Sequence, residues 1–251
     1  MPNPFKKAVA LIKKLPVIPF RGQLREFYKK YIRQKIYENR KVVTEIEGIK
    51  YELDLSTYAG IEAYYGNWEP AIVKIIKKYV KPGMTVMDIG ASVGLHTFRM
   101  KKMVGPDGKV LAFDQKGSAI KALKKTARLN NLPVVINNVV LSDVNEGKEI
   151  KLDTYAKSKN ISRLDFILMD IDGGEYRVFK GGLEALKKFK PIIMFEMHPS
   201  HLGQEGTRKL IDLLDDCDYS FFESSNLKQY SDNQSFTEDA LTKKTIHILC
   251  K

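Results

Sequence analysis

A regular alternation of apolar strands and amphipathic helices begins near residue 69 and constrains the fold more than any other feature. The predicted strands are Thr85–Ile89, Lys109–Phe113, Val134–Val140, Asp165–Met169 and Pro191–Phe195. The predicted helices are Pro70–Tyr79, Leu95–Met103, Gly117–Asn130, Glu175–Phe189 and Gly203–Asp215. Strands and helices in strict alternation predict a mostly parallel sheet that is covered by helices on both faces.

Two further strands, Tyr219–Phe222 and Thr245–Leu249, are predicted after this alternation. We predict a loop without a helix between them, so that they form an antiparallel hairpin at the sheet edge. Near the N-terminus, Val42–Ile46 and Ile49–Leu53 flank Glu47-Gly48 and predict another hairpin. The expected fold class is α/β, a doubly wound and mostly parallel seven-stranded sheet, preceded by a basic helical extension and this hairpin.

The positive charge is concentrated at the start of the chain. The whole chain of 251 residues has a formal net charge of +12, and residues 1–50 contain 13 Lys and Arg against four Glu. We expect an extension with the hairpin over residues 1–55 and a main domain over 56–251. The extension could contact an anionic membrane surface or nucleic acid, or it could be a solvated helical face.

The rest of the composition indicates the compartment. No apolar stretch is long enough to span a membrane, and the two cysteines do not form a disulfide framework. We therefore expect a cytoplasmic protein, with peripheral contact at the inner membrane surface as an additional possibility.

Acidic residues lie at or just beyond the carboxyl ends of five predicted strands. They are Asp88, Asp114, Asp143, Asp170 and Glu196. Ligands of open α/β sheets bind at the carboxyl ends of the strands. Carboxylates accept hydrogen bonds from hydroxyls and amines, so these positions predict a site for a ligand rich in such groups.

The loop after the first strand of the alternation has the pattern Asp88-x-Gly90-x-x-x-Gly94. It lacks the Gly-x-Gly-x-x-Gly spacing of dinucleotide-binding proteins and the Gly-Lys-Ser/Thr of phosphate loops. The pattern is instead typical of S-adenosylmethionine binding. Asp114, 26 residues after Asp88 at the end of the next strand, can accept both hydroxyls of a ribose.

Over residues 68–199 the chain resembles the FkbM-type methyltransferases, a family with the class I, Rossmann-like methyltransferase fold. The resemblance is carried by residues 81–94, 110–115, 152–155 with 161–165, 169–175 and 195–198. The chain departs from the family at several positions: Ser92 stands where Asn is usual, Asp114-Gln115 where Glu-Pro is usual, Leu168 where Lys is usual and Asp172 where Glu is usual. The resemblance implies that residues 56–251 bind S-adenosylmethionine and catalyse methyl transfer.

Candidate site residues follow from the motifs and the resemblance together. The cofactor-binding candidates are Glu69, Asp88, Gly90, Ala91, Ser92, Gly94, His96, Thr97, Asp114, Gln115, Ser142, Asp143 and Asp170. The catalytic candidates are Asp170, Glu196 and His198. His198 is the natural base for removing a hydroxyl proton, although it could merely cap a turn before Pro199. No tight ligand spacing supports a metal ion, and none is predicted.

The expected reaction is O-methylation of a hydroxyl on a sugar, glycan, lipid-linked or secondary-metabolite acceptor. One alternative is an RNA methyltransferase that modifies ribose and uses the basic N-terminal segment. A recognisable RNA-binding module is missing from the sequence, which disfavours this reading. The second alternative is a protein that binds the cofactor without catalysis.

Overall fold

The computed structural model describes residues 41–64 and 69–251, and the chain divides into two compact units after residue 68. In the first unit β1 (Lys41–Ile46) and β2 (Ile49–Asp54) pair antiparallel and are followed by α1 (Tyr58–Tyr64). Glu47 and Gly48 both have positive φ, as a two-residue type I′ turn requires. The predicted hairpin is therefore confirmed. The helices and surface contacts predicted for residues 1–40 lie outside the described residues, and the domain boundary at 55/56 stays a prediction.

The second unit contains the alternating elements. Its strands are β3 (Thr85–Ile89), β4 (Lys109–Phe113), β5 (Val135–Asn137), β6 (Val140–Ser142), β7 (Glu149–Lys151), β8 (Phe166–Met169), β9 (Ile192–Met197), β10 (Phe221–Glu223) and β11 (Ile246–Cys250). Its helices are α2 (Pro70–Tyr79), α3 (Leu95–Val104), α4 (Gly117–Asn130), α5 (Leu152–Ser158), α6 (Glu175–Lys180), α7 (Leu183–Phe189), α8 (Pro199–Asp215) and α9 (Asn233–Leu241).

Seven of these strands form one sheet in the order β10-β11-β9-β8-β3-β4-β5. The five strands from β9 to β5 are parallel, and β11 runs antiparallel to both β9 and β10. Every residue of β3 and β8 is buried, because helices cover both faces of the sheet. Met87 and Ile167 belong to one apolar core and Val86 and Phe166 to another, as the alternation of side chains along a strand requires. The predicted seven-stranded, mostly parallel sheet is confirmed.

The connection between β10 and β11 differs from the prediction. It contains α9, so the expectation of a loop without a helix was wrong. Asp232 and Ser235 cap this helix reciprocally, each side chain pairing with the other's backbone N–H. Phe236 and Ala240 are its buried residues. So few apolar positions give a weak helical period, which explains why the helix was missed.

Two predicted elements are divided in the structure. The helix over 175–189 breaks at Gly181-Gly182 into α6 and α7. The backbone of Gly181 lies so close to Ser142 that an added Cβ would stand 1.8 Å from the Ser142 carbonyl oxygen. The strand over 134–140 ends at Asn137, and Val140–Ser142 pairs with β7 in a separate two-stranded sheet. Both departures depend on contacts between distant segments, which local patterns do not show.

Among the described segments, none of the helices combines the length and the apolar character needed to cross a membrane.

Candidate active site at the carboxyl edge of the sheet

The loop between β3 and α3 connects three strand ends. The backbone N–H groups of Gly90 and Ala91 both donate to the Phe113 carbonyl at the end of β4, at 2.9 and 3.0 Å. Gly90 has a φ of 90°, and a Cβ there would lie 1.9 Å from the Asp170 carbonyl oxygen after β8. Only glycine allows this approach. Gly94, also at positive φ, precedes the first residue of α3.

Asp114 follows β4 and holds the loop from the other side. Its Oδ2 accepts a hydrogen bond from the Ser92 backbone N–H at 2.9 Å, and its Oδ1 accepts one from the Lys116 N–H at 2.8 Å. The Asn138 side-chain amide donates to the carbonyls of Asp114 and Gln115, at 3.0 and 3.1 Å. The carboxylate is therefore fixed in place, while each of its oxygens keeps a second lone pair for a ligand.

Asp88 is buried beneath this loop at the end of β3. Its Oδ2 accepts a hydrogen bond from the Thr97 hydroxyl in the first turn of α3. Burial raises the pKa of Asp88 to about 6, and the nearby Asp170 and Glu69 carboxylates also raise it. The charged form of Asp88 is therefore disfavoured unless a positive charge approaches.

Glu69, His96 and Arg99 form a chain of side-chain contacts. The Glu69 Oε2 lies 2.7 Å from the His96 Nε2, and the Arg99 Nη1 lies 2.9 Å from the His96 Nδ1. Because a guanidinium only donates hydrogen bonds, the His96 Nδ1 accepts one from Arg99. The His96 Nε2 is then protonated and donates a hydrogen bond to the Glu69 carboxylate. Arg99 was not among the predicted site residues. Its spacing of three residues from His96 on one helix was the available signal.

Asp170 and Glu196 stand side by side after β8 and in β9. The strands pair Met169 with Phe195, which makes the next residue of each strand a neighbour. Their carboxyl groups hydrogen-bond to each other. Burial and this shared contact raise the pKa of Asp170, and burial raises that of Glu196, with Glu69 and Asp172 contributing to both. The structure thus brings together the carboxyl groups of four candidate site residues, Glu69, Asp88, Asp170 and Glu196, which we call the carboxylate cluster.

His198 follows Glu196 at the end of β9, and its side chain is 8% exposed. The Nδ1 lies 3.4 Å from the Glu175 Oε1, and the Nε2 lies 3.5 Å from the Asp172 Oδ1 and 3.8 Å from the Glu196 Oε2. The ring stacks on His201 with a centroid separation of 5.2 Å. His198 also precedes α8 as its N-cap residue, without a side-chain capping bond, and its role as a base stays a prediction.

His247 joins the edge from β11 and was not predicted. It pairs with Glu196 across the antiparallel strands, and its Nε2 lies 3.6 Å from the Glu196 Oε1. Burial lowers the pKa of His247, which favours the neutral ring. A single polar residue within the apolar sequence Ile-His-Ile-Leu-Cys was the available signal.

Ser142 and Asp143 occupy a different environment. The Asp143 carboxylate accepts hydrogen bonds from the Arg177 Nε at 2.8 Å and the Lys180 Nζ at 3.1 Å. Arg177 also forms a bidentate pair with Glu149, at 3.0 and 2.9 Å. These contacts lower the pKa of Asp143 to about 2. The structure therefore places Asp143 in an ion-pair group with α6, whereas the raised pKa values occur in the carboxylate cluster.

The carboxyl groups of Glu69, Asp88, Asp170 and Glu196 have the chemistry of a cation site. Over residues 41–64 and 69–251, no group of three His, Cys, Asp or Glu side chains is arranged to hold a metal ion. Burial raises the pKa values of Asp88, Asp170 and Glu196, and the nearby Glu69 carboxylate raises each of them further, so these acids together concentrate negative potential at the strand ends. An organic cation with amine and hydroxyl groups would fit this edge.

Two family models match the chain. The FkbM methyltransferase domain matches residues 139–221, and the protein-L-isoaspartate(D-aspartate) O-methyltransferase family matches residues 59–150. The ribosomal protein L11 methyltransferase of Caldicellulosiruptor bescii is 33% identical over 133 residues, which are 51% of this chain and 42% of that protein. The ribosomal protein L11 methyltransferase of Aquifex aeolicus is 25% identical over 131 residues, which are 47% of this chain and 53% of that protein. The chain thus spans about half or less of these curated relatives.

Among solved structures, the fibrillarin of Aeropyrum pernix with natively bound S-adenosyl-L-methionine matches with a TM-score of 0.50. The sequence identity is 13%, and 87% of each chain is covered, so this likeness concerns the fold. The family match over residues 139–221 includes β6 to β9 and therefore the Asp170 and Glu196 strand ends. Over residues 139–221 the chain is therefore similar to the FkbM methyltransferase domain, and its sheet has the Rossmann-like fold of the class I S-adenosylmethionine-dependent methyltransferases.

Proposed function

We propose that this chain binds S-adenosylmethionine at the carboxyl edge of β3, β4 and β8 and transfers its methyl group to a hydroxyl oxygen. The acceptor is a sugar, a glycan, a lipid-linked molecule or a secondary metabolite. The observation that carries the proposal is the carboxylate cluster with raised pKa values, next to a glycine loop that is held by Asp114.

The residues at this edge fit the groups of the cofactor. Asp114 would accept the ribose hydroxyls through its remaining lone pairs. Asp88 and Asp170, with Glu69 beside them, would face the positive charges of the sulfonium and the amino group. These charges would stabilise the ionised forms of Asp88 and Asp170, which their raised pKa values otherwise disfavour. We expect the Asp143 carboxylate to accept a hydrogen bond from the adenine amino group, in addition to those that it accepts from Arg177 and Lys180.

The bound cofactor supplies a methyl group whose C–S bond breaks as the new C–O bond forms. The chain would contribute position and proton transfer. Holding the acceptor hydroxyl in line with the methyl group removes much of the entropic barrier. His198 or Glu196 would receive the hydroxyl proton, since both face this edge and neither is engaged by a lysine or an arginine in the contacts described above.

The charge of the edge favours a neutral acceptor over a nucleic acid. Asp170, Asp172 and Glu175 lie within six residues that contain no lysine or arginine. A phosphodiester backbone approaching these carboxylates would be repelled, whereas sugar hydroxyls can donate hydrogen bonds to them.

Calorimetric titration with S-adenosylmethionine tests the cofactor site. We expect saturable binding by the wild type, about tenfold or more weaker binding by Asp114→Ala, and unchanged binding by Asp212→Asn on the exposed face of α8. A folded wild type without binding would overturn the proposal.

Transfer of a labelled methyl group tests the acceptor. The protein is incubated with labelled cofactor and either a glycan panel or total RNA. Label in the glycan fraction supports the proposal. Label that ribonuclease removes would assign the acceptor to RNA, and binding without transfer to any acceptor would indicate a non-catalytic protein.

A further inference from the structure

Glu175 is the most deeply buried carboxylate of the edge, and the function outlined above does not use it. It is the first residue of α6 and is 0% exposed. Its Oε1 accepts a hydrogen bond from the Gly173 backbone N–H at 2.9 Å. Asp172 and Gly173 both have positive φ, and this turn presents the N–H to the carboxylate. No described residue donates a hydrogen bond to the Oε2.

A buried carboxylate with one unpaired oxygen destabilises the fold unless a positive or proton-donating group compensates it. The candidate for this compensation is His198, whose Nδ1 lies 3.4 Å from the Glu175 Oε1. The distance is long for a hydrogen bond, as contacts between catalytic groups often are before substrate binds.

The tautomer of His198 follows from this contact. Of the contacts between this ring and carboxylates, only the one between Nδ1 and Glu175 has hydrogen-bond geometry. A carboxylate only accepts hydrogen bonds, so Nδ1 carries the proton when the ring is neutral. The Nε2 then has a free lone pair. It faces Asp172, whose side chain is 81% exposed, at 3.5 Å and Glu196 at 3.8 Å. Stacking on His201, with an interplanar angle of 7°, holds the ring in this orientation.

We propose that Glu175 is a positioning residue, which holds His198 with Nδ1 protonated and Nε2 free to take the proton of the acceptor hydroxyl. The inference rests on the proposed function and specifies its base. When the proton arrives at Nε2, the imidazolium forms an ion pair with the buried Glu175 carboxylate. This ion pair would explain why the fold retains a carboxylate at a fully buried position.

Other charged groups around the ring belong to the same arrangement. Asp172 and Glu175 approach from the turn and α6, Glu196 from β9, His201 from α8, and His247 from β11. The Glu196 carboxyl also lies 3.6 Å from the His247 Nε2 and hydrogen-bonds to Asp170. Glu196 thus contacts three titratable groups, those of Asp170, His198 and His247. The imidazole ring that Glu175 contacts is that of His198.

Nitrogen NMR of the imidazoles tests the inference without cofactor or acceptor. The chain has four histidines, so the ring signals can be assigned with single His→Gln variants. At about pH 8.5, where ordinary histidines are neutral, we expect His198 in the Nδ1–H tautomer. Free histidine favours the Nε2–H tautomer. In Glu175→Met, which removes the acceptor and keeps a similar length, His198 should move to the Nε2–H form, while exposed Glu205→Gln should change nothing.

The wild-type spectrum alone can overturn the inference, because a folded protein with His198 in the Nε2–H form contradicts it whether or not Glu175→Met folds. An unchanged tautomer in folded Glu175→Met would also overturn it. Since the tautomer is read without ligand, failure of S-adenosylmethionine to bind would be a separate result that concerns the proposed function. With an acceptor available, Glu175→Met should lower kcat about 100-fold with little change in KM, and an unchanged kcat would contradict the role.

Discussion

The carboxyl groups of Asp170 and Glu196 hydrogen-bond to each other at the carboxyl ends of two adjacent parallel strands. Two ionised carboxylates cannot make this bond, so the pair holds a proton at the pH where it forms. Burial and the neighbouring Glu69 keep the pKa of both groups above the ordinary range, and the contact with Glu196 raises the pKa of Asp170 further. The edge of the sheet therefore stores a proton that an approaching cation would displace.

Proton release on cofactor binding is the first expected outcome. A cationic ligand favours the ionised forms of Asp170 and Glu196, so binding should release up to about one proton near pH 7. Titrations with S-adenosylmethionine in two buffers of different ionisation enthalpy measure this number. Asp170→Asn should release less, and Asp212→Asn should behave as the wild type. Equal heats in both buffers for the wild type would contradict the expectation.

The buried Asp88 should make folding stability depend on pH in an unusual direction. Its pKa rises from 3.8 to about 6, so the folded state binds its proton more tightly than the unfolded state. The contribution is present in full below about pH 4 and is lost as the pH rises through about 6, which costs up to about 3 kcal/mol.

Asp88→Asn tests this pH dependence. The amide remains neutral and its oxygen can still accept the Thr97 hydroxyl, so the variant should lack this loss of stability. Urea unfolding at about pH 4.5 and about pH 7.5 compares the two proteins. Equal pH slopes for the wild type and the variant would show that the burial of Asp88 does not act in this way.

Asp143 should show the opposite pH dependence. Arg177 and Lys180 lower its pKa to about 2, so its stabilisation is present above about pH 4 and is lost as the pH falls through about 2. Because Arg177 and Lys180 are partly exposed, Asp143→Asn should cost about 0.2–1 kcal/mol at neutral pH. The cost should shrink in about 0.5 M salt, which screens exposed pairs. Denaturation midpoints at both salt concentrations measure it, and a cost that is independent of salt would argue against an ion pair.

Gly181→Ala should disrupt the junction between α6 and α7. The added Cβ would lie 1.8 Å from the Ser142 carbonyl oxygen, and the backbone must move to relieve this contact. We expect a loss of about 3 kcal/mol or more. Gly117→Ala, at the open first position of α4, is the matched control and should be neutral or stabilising by up to about 1 kcal/mol. Similar unfolding midpoints for the two variants would contradict the close packing at Gly181.

The strands and helices of the central sheet could be predicted because their signals are local. The bounds of α2, β3, β4 and α4 agree with the predicted ones, since each has a clear apolar pattern and a residue nearby that ends it. Pro82 follows α2, Gly90 follows β3, Asp114 follows β4 and Asn131 follows α4. Helix α9 and the break at Gly181 could not be predicted in this way. The first buries few apolar residues, and the second depends on the approach of a backbone carbonyl from a different strand.

The sequence by itself determined the order of the strands and helices and the positions of acidic residues at the strand ends, because both are periodic along the chain. It also carried the loop pattern from Asp88 to Gly94. Only the tertiary structure decided which acidic side chains share a proton and which form an ion pair with a basic side chain. Asp170 and Glu196 become neighbours because β8 pairs with β9, whereas Asp143 meets Arg177 of α6. A pKa depends on burial and on charges nearby in space, and these are properties of packing rather than of sequence position.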